Sequence, residues 1–212
     1  MEIIFEDESI IVVKKDSGEA TQTANIAQKD LVSTLKKHIS EERKIKNPYI
    51  GVVHRLDQPV KGLLVFALNE KSAAELSRQV NCGELKKYYY AVVENIPNDS
   101  GELIDYMYKD AKQSKSIITD KSNPKGKCAR LKYKVITSDT EKNVSTLDIE
   151  LITGRFHQIR AQLSNMGCPI VGDTKYGSII HEKSGIELCA YRLQFKHPKT
   201  GKKMEYQLKD II

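Results

Sequence analysis

Short apolar runs, bounded by Gly, Pro and charged residues, recur along the whole 212-residue chain. Their alternation and their branched or aromatic content predict strands near residues 3–5, 10–14, 52–53, 63–67, 86–94, 103–108, 116–119, 129–137, 144–153, 188–196 and 204–208. Helical spacing predicts helices at 30–39, from a capping Asn69 to Val80, and at 157–166. Because strands outnumber helices and short turns join most of them, we predict an α+β fold with a mostly antiparallel mixed β-sheet flanked by helices. No internal repeat or low-complexity linker interrupts the pattern, so one domain over 1–212 is expected.

Composition narrows the class of protein. The chain is 40% hydrophobic and 29% charged, which is typical of a soluble globular domain. It contains no apolar run of about 18 residues, so no membrane span is expected. Its four cysteines are scattered, which favours neither a metal site nor a disulfide framework. The first residues lack the features of a signal peptide, so a cytoplasmic location is expected.

Positive charge is concentrated in one segment, which we call the basic segment (residues 107–134). It carries nine Lys or Arg residues against two Asp, a net charge of +7, whereas the whole chain carries +6. Such a segment indicates a surface that binds a polyanion such as nucleic acid. The alternative is a solvated, lysine-rich hairpin that only maintains solubility.

The most informative polar turn lies within residues 51–67. It places His54, Arg55 and Asp57 between two apolar runs. Burying such groups is costly unless they are paired or are used in chemistry. A solvated turn whose Asp caps the local backbone is the alternative.

A second segment, residues 147–163, contains two candidate charge partners for that Asp. An alternating strand is broken by Gly154, and a helix follows from His157, with Arg155 and Arg160 on either side of this start. A guanidinium close to a buried carboxylate would keep it ionised. Spacing alone does not show that Arg160 reaches Asp57.

These two segments and two others resemble the signature motifs of the RluA-type family of pseudouridine synthases, which isomerise uridine in RNA. The matching stretches follow the family order along essentially the whole chain. They are His-Arg-Leu-Asp at 54–57 with 60–67, Lys-Tyr-Tyr-Tyr-Ala at 87–91, Gly-Arg-Phe-His-Gln-Ile-Arg at 154–160 with 167–173 and 176–177, and residues 193–201. The resemblance implies the family's fold, with an active-site cleft across the sheet.

The resemblance also implies site residues. Asp57 is the expected catalytic carboxylate, which either attacks C1′ of the ribose or removes a proton from C2′. Arg160 is expected to pair with Asp57 and keep it anionic. Tyr89 is expected to stack on the uracil, although a Tyr in a Val-rich strand is more commonly a packing residue.

Three further residues are expected to contact the substrate RNA. Arg55 would occupy the place left by a flipped nucleotide, Ile159 would pack against the other face of the base, and Arg155 would bind RNA. His54, His157 and Gln158 are interpreted as groups that orient the turn and the helix.

The expected substrate is a stem-loop of ribosomal RNA or tRNA, bound by a monomer that needs no cofactor or metal. The chain resembles the catalytic domain alone, without an N-terminal S4-type RNA-binding domain. It departs from the family pattern at a few positions, which bear on substrate choice. These are Lys15-Asp16, Val60-Lys61, Phe156, Cys168 and Cys189.

Two other functions remain open at this point. One is a non-catalytic RNA-binding or ribosome-assembly factor on the same fold. The other is a carboxylate-based hydrolase, which would need a second carboxylate; Asp173, the nearest candidate, is interpreted as a turn residue.

Overall fold

The structure, a computed structural model, describes residues 1–23, 29–182 and 185–209. Its strands are β1 (Glu2–Glu6), β2 (Ile10–Lys15), β3 (Gly51–Val52), β4 (Lys61–Ala67), β5 (Lys86–Glu94), β6 (Ser100–Asp110), β7 (Lys115–Thr119), β8 (Lys127–Asp139), β9 (Val144–Leu151), β10 (Leu188–Lys196) and β11 (Lys203–Gln207). Its helices are α1 (Leu31–Arg43), α2 (Glu70–Asn81) and α3 (Gln158–Asn165), with a 3₁₀ turn at Thr174–Tyr176. The described chain forms two compact units: unit 1 contains residues 1–86 and 190–209, and unit 2 contains residues 87–189.

Unit 1 is built around β2 and β4. β2 pairs antiparallel with β1 and β4, β3 pairs antiparallel with β4, and β11 pairs antiparallel with β10, which lies next to β4. Residues 10–13 and 63–67 are at most 2% exposed. Both faces of these two strands are therefore covered, which explains why their sequence is continuously apolar rather than alternating.

The two helices of unit 1 begin at the caps that their sequence provides. Asp30 accepts a hydrogen bond from the backbone N–H of Ser33, and Asn69 accepts one from Ser72 N–H. The predicted apolar stripe of α1 is buried, and Leu76 of α2 packs into the core of the unit. Both helix predictions are confirmed, although α1 continues to Arg43.

Unit 2 contains an antiparallel array in the order β5-β9-β8-β6-β7. β7 is its outer strand, and α3 packs against β7. His157 has a left-handed backbone with φ 49°, so the helix begins at Gln158 rather than at the predicted His157.

The α+β prediction with a mostly antiparallel sheet is therefore confirmed. Strand bounds differ from those predicted by a few residues, mainly because β6 and β8 are longer. The 3₁₀ turn at Thr174–Tyr176 was not predicted. The expectations of one domain and of a cleft across the sheet stay predictions. In the part of the chain that the structure describes, no helix has the length and apolar character needed to cross a membrane.

Candidate active site

Asp57 lies in unit 1, on the loop that joins β3 to β4. Its neighbours Leu56 and Val60 are 6% and 2% exposed, whereas Asp57 itself is half-buried. The Val60 N–H donates to the Asp57 carbonyl at 3.0 Å. Two apolar anchors on either side thus hold the carboxylate at a defined position of the loop.

Residues 15–21 brace this loop from one side. The Thr21 hydroxyl donates to the Leu56 carbonyl at 2.9 Å and accepts from the Leu56 N–H at 3.3 Å. The Gly18 N–H donates to the Gln58 carbonyl at 2.9 Å. The backbone immediately before and after Asp57 is therefore fixed by partners from outside the loop, as preorganised sites require.

Two positions of the first motif, His54 and Gly62, have structural roles. The Val65 N–H donates to His54 Nε2 at 3.2 Å, which places the ring proton on Nδ1 and ties the loop to β4. Gly62 has φ +133°, and a side chain there would collide with the Ala190 backbone. The interpretation of His54 as an orienting residue is supported.

Lys15 is a buried lysine next to the Asp57 loop that was not predicted to serve the site. Its side chain is 0% exposed, and Nζ donates to the carbonyls of Asp16, Glu19 and Gln58 at 2.9, 2.7 and 3.0 Å. Burial lowers the pKa of Lys15 to about 8, although the negative charges of Glu19, Asp16 and Asp57 partly offset this effect. Lys15 therefore joins β2 to the loop that carries the candidate carboxylate.

This lowered pKa predicts how stability depends on pH. Below pH 8 Lys15 is protonated in the folded and unfolded chain, and folding carries the full cost of burying its charge. Between the folded pKa of about 8 and the ordinary value of 10.5, only the unfolded chain binds the proton. The free energy of unfolding should then rise, relative to Lys15→Met, by up to about 1.4 kcal/mol per pH unit.

Urea unfolding of the wild type and Lys15→Met at pH 7, 8, 9 and 10 measures this difference. Lys37→Met, at an exposed position of α1, is the control and should differ from wild type by a constant amount. A constant difference for Lys15→Met over the same range would contradict the prediction.

Arg160 and Asp173 form a buried ion pair in unit 2. Arg160 Nε and Nη2 donate to the two carboxylate oxygens of Asp173 at 2.7 and 2.8 Å, and the two side chains are 5% and 1% exposed. Asp173 lies in a turn, as interpreted, but its carboxylate has a further role that was not predicted, because it takes one whole edge of the Arg160 guanidinium. The predicted pairing of Arg160 with Asp57 stays a prediction.

An aromatic cluster supports this ion pair. The Tyr176 ring lies 4.9 Å from Arg160 Cζ, and its hydroxyl accepts from the Ser116 N–H at 2.7 Å and bonds His157 Nδ1 at 2.9 Å. The Phe156 ring stacks on His157 with centroids 3.8 Å apart and contacts Lys109 Nζ at 4.5 Å. The family's usual Thr at position 156 could not make these two contacts.

His157 is neutral at physiological pH. Burial, together with the smaller effect of the positive charges of Arg160, Lys175 and Lys109, lowers its pKa to about 3. A neutral ring bonded to Tyr176 fits the interpretation of His157 as an orienting group.

Gln158 fixes the start of α3. Its Oε1 accepts from the Thr153 hydroxyl at 2.7 Å and from the Arg155 N–H at 3.0 Å, while its Nε2 donates to the Arg130 carbonyl at 3.1 Å. Arg155 is exposed, and its Nε donates to the Cys128 carbonyl at 3.0 Å. Gln158 thus orients the junction between β9 and α3, as interpreted. Arg155 lies at the exposed surface of this junction.

The remaining predicted residues differ in exposure. Tyr89 and Ile159 of unit 2 are both 5% exposed, whereas Arg55 of unit 1 is exposed. Tyr89 stands opposite Ile149 of β9. These positions are compatible with the predicted roles, which stay predictions.

The basic segment forms the end of β6, all of β7 and the first half of β8. Three of its basic residues on β8 are matched by acids: Arg130 pairs with Glu102 at 2.7 Å, and the register places Lys132 and Lys134 beside Glu150 and Asp148 of β9. The lysines nearer the β6–β7 and β7–β8 turns are mostly exposed. These are Lys109, Lys112, Lys121, Lys125 and Lys127. The unmatched positive charge is therefore concentrated at the turns.

Among the residues that the structure describes, no cluster of three or more His, Cys, Asp or Glu side chains is arranged to hold a metal ion. Cys168 and Cys189 are buried, and burial raises the pKa of the Cys168 thiol.

Comparison with known proteins identifies the family. The sequence profile of a family described as RNA pseudouridylate synthase matches residues 9–165. The ribosomal large subunit pseudouridine synthase C of Rickettsia bellii is 37% identical over 177 residues, which cover 83% of this chain and 56% of that protein. The tRNA pseudouridine synthase C of Pectobacterium carotovorum is 30% identical over 231 residues, which cover 98% of this chain and 58% of that protein.

A solved structure shows the same fold. Human RNA pseudouridylate synthase domain containing 4 matches with a TM-score of 0.80 at 20% identity, over 98% of this chain and 88% of that chain. The chain belongs to the RNA pseudouridylate synthase family, whose reaction is the isomerisation of uridine in RNA. The resemblance inferred from the motifs is thus confirmed. The chain spans a little over half the length of the two curated relatives named above.

Proposed function

We propose that this chain isomerises uridine to pseudouridine in structured RNA, with Asp57 as the carboxylate that acts on the ribose. The observation that carries the proposal is the fixed loop around Asp57. Thr21 holds Leu56, Gly18 and Lys15 hold Gln58, and the carboxylate between them is left half-buried. Preorganisation of this kind lowers the barrier to a reaction because the group need not be ordered during the step.

The reaction requires cleavage of the bond between N1 of uracil and C1′ of ribose, rotation of the ring, and a new bond from C5 to C1′. The uracil leaves with the electron pair of the broken bond, and the ribose becomes electron-poor. Asp57 meets this demand either by bonding to C1′ or by taking the C2′ proton, and both routes remain open. Neither route consumes a redox equivalent or a nucleotide cofactor.

The other predicted residues are given roles around the target base. Tyr89 is proposed to stack on the uracil and Ile159 to pack against its other face. Arg160, oriented by Asp173, is proposed to keep Asp57 anionic. An enzyme cannot reach the ribose and base of a uridine that is stacked inside an RNA helix, so the target nucleotide must be flipped out. The exposed Arg55 is proposed to fill the space that this nucleotide leaves in the stack.

The RNA is proposed to be a stem-loop of ribosomal RNA or tRNA. The relatives named above support these two classes because one is named for the ribosomal large subunit and the other for tRNA. The unmatched lysines at the turns of the basic segment, together with Arg155, would contact phosphates, and this affinity should fall as salt increases. We further propose that the protein acts as a monomer in the cytoplasm.

Mapping pseudouridines in total RNA tests the function directly. Carbodiimide treatment followed by primer extension should give one or a few stops that are present in cells with the gene and absent in cells without it. Adding purified protein to RNA from the second strain should restore the same stops. RNA that is bound but never converted would instead favour a non-catalytic assembly factor.

A further inference from the structure

Lys87, the first residue of the Lys-x-Tyr motif, lies on the buried face of β5. Successive side chains of a strand alternate between faces, so Lys87 shares a face with Tyr89, Ala91 and Val93, which are 5%, 1% and 0% exposed. On β9 its neighbour in register is Leu151. Its ammonium therefore stands at the end of a face that is otherwise apolar.

The Lys87 ammonium reaches the turn that precedes α3. A Cβ added at Gly154 would lie 3.2 Å from Lys87 Nζ, and Gly154 itself is exposed. A side chain at position 154 would crowd the ammonium on this side. The glycine of the late motif thus leaves one side of Lys87 open to a ligand, a common reason for Gly where another molecule approaches closely.

Among the residues that the structure describes, no carboxylate compensates this charge. Within residues 1–23, 29–182 and 185–209, no ion pair or hydrogen bond is formed by Lys87 Nζ. Two buried carboxylates of unit 2 are committed to other partners: Asp173 to Arg160, and Glu94 to the Ile179 and Ile180 N–H groups at 2.9 and 3.0 Å. Burial lowers the pKa of Lys87. An uncompensated, desolvated ammonium costs stability, and such groups are concentrated at functional sites.

We propose that Lys87 donates a hydrogen bond to a carbonyl oxygen of the target uracil and stabilises the negative charge of the ring while it is detached from ribose. This inference rests on the proposed function and adds a catalytic residue to it. Tyr89 is two positions away on the same face, about 7 Å along the strand. A ring stacked on Tyr89 would therefore present its edge to Lys87.

The electron balance defines what Lys87 does. When the C1′–N1 bond breaks, its electron pair stays on the uracil and is shared by N1 and the carbonyl oxygens. Lys87 keeps its proton and lowers the energy of this anion, as preorganised donors do in oxyanion sites. The anion then uses a pair to bond C5 to C1′, after which C5 loses a proton and N1 gains one.

An RNA phosphate is the other anion that an ammonium could bind. The apolar surroundings of Lys87 favour the base, because the exposed lysines at the turns of the basic segment are better placed to contact phosphates. The two ligands predict different kinetics. Loss of a charge contact made mainly in the transition state lowers the rate constant, whereas loss of a phosphate contact weakens binding.

The test compares wild type, Lys87→Met and Lys142→Met in single-turnover conversion of ribosomal RNA and tRNA from a strain that lacks the gene. Lys142→Met is the matched control, since it removes the same charge from a turn residue that is 79% exposed. For Lys87→Met, the rate constant at saturating enzyme should fall by about 10²–10³-fold. The half-saturating enzyme concentration should change by less than about threefold.

Thermal unfolding separates this role from a structural one. Lys87→Met should melt at the same temperature as wild type or higher, because an uncompensated ammonium is replaced by an apolar chain of similar shape. An unchanged rate constant, a loss of affinity alone, or a rate loss accompanied by a lower melting temperature would each overturn the inference. A wild type that forms no pseudouridine would overturn the proposed function and this inference with it.

Discussion

The Asp57→Asn variant is expected to bind RNA with the affinity of the wild type and to form pseudouridine at least about 10⁴ times more slowly. The amide has the size of the carboxylate, but it is a poor nucleophile and a poor base. The loop should keep its conformation, because Thr21, Gly18 and Lys15 hold it through the backbone and not through the Asp57 side chain. Single-turnover conversion and filter binding on the same RNA measure the two quantities separately.

The control for Asp57→Asn is Glu41→Gln, which removes one carboxylate charge from an exposed position of α1. It should match wild type in rate and affinity. If Asp57→Asn lost binding and conversion together, Asp57 would be a structural residue. Full conversion by Asp57→Asn would remove it from the chemistry altogether.

The Asp173→Asn variant is expected to lose about 3 kcal/mol of unfolding free energy. Arg160 is 5% exposed and would remain charged, while the edge formed by its Nε and Nη2 would face a neutral amide. Replacing both partners of a buried ion pair by apolar residues often changes stability little. Removing only one partner is far more destabilising, because the other charge stays buried without compensation. For a chain of this length the melting temperature should fall by about 6–12 °C.

The control for Asp173→Asn is Glu102→Gln, which breaks a carboxylate–arginine pair at the surface. Glu102 and Arg130 have side chains that are 34% and 46% exposed and lie 2.7 Å apart. Solvent screens this pair, so the loss should be much smaller than that of Asp173→Asn. If the two variants lost the same amount of unfolding free energy, burial of the Arg160–Asp173 pair would not increase its contribution to stability.

Local signals in the sequence predicted the elements of this fold well. Asp30 and Asn69 each stand one residue before the helices they cap, and the register of apolar positions placed β5 and β10 at their observed bounds. Strand order could not be predicted this way, because the pairing of β2 with β4 and the place of β10 beside β4 depend on contacts distant in sequence. The start of α3 was misplaced because a positive φ at His157 leaves no periodic signal.

The candidate site was predicted through its motifs, and the supporting residues were missed. Asp173 follows Gly172 and forms a backbone turn, so nothing local distinguished its buried carboxylate from an ordinary turn residue. Lys15 ends an apolar strand, where a lysine is normally expected to reach solvent. In both cases burial is decided by residues far away in the chain. Proximity to a motif was the only available signal, since Asp173 lies within the late motif.

Because β7 is the outer strand of its array, the lysines of the basic segment have a second effect besides attracting RNA. The strand carries Ser116, Ile117, Ile118 and Thr119, a stretch with high β-propensity. In the part of the chain that the structure describes, no further strand pairs with the outer edge of β7, although the Ser116 N–H is bonded to the Tyr176 hydroxyl. Lys112 and Lys121 flank this stretch, and like charges of that kind prevent two edges from pairing between molecules. A protein stripped of these lysines to weaken RNA binding would therefore also lose its protection against self-association. Solubility and substrate attraction depend here on the same few side chains.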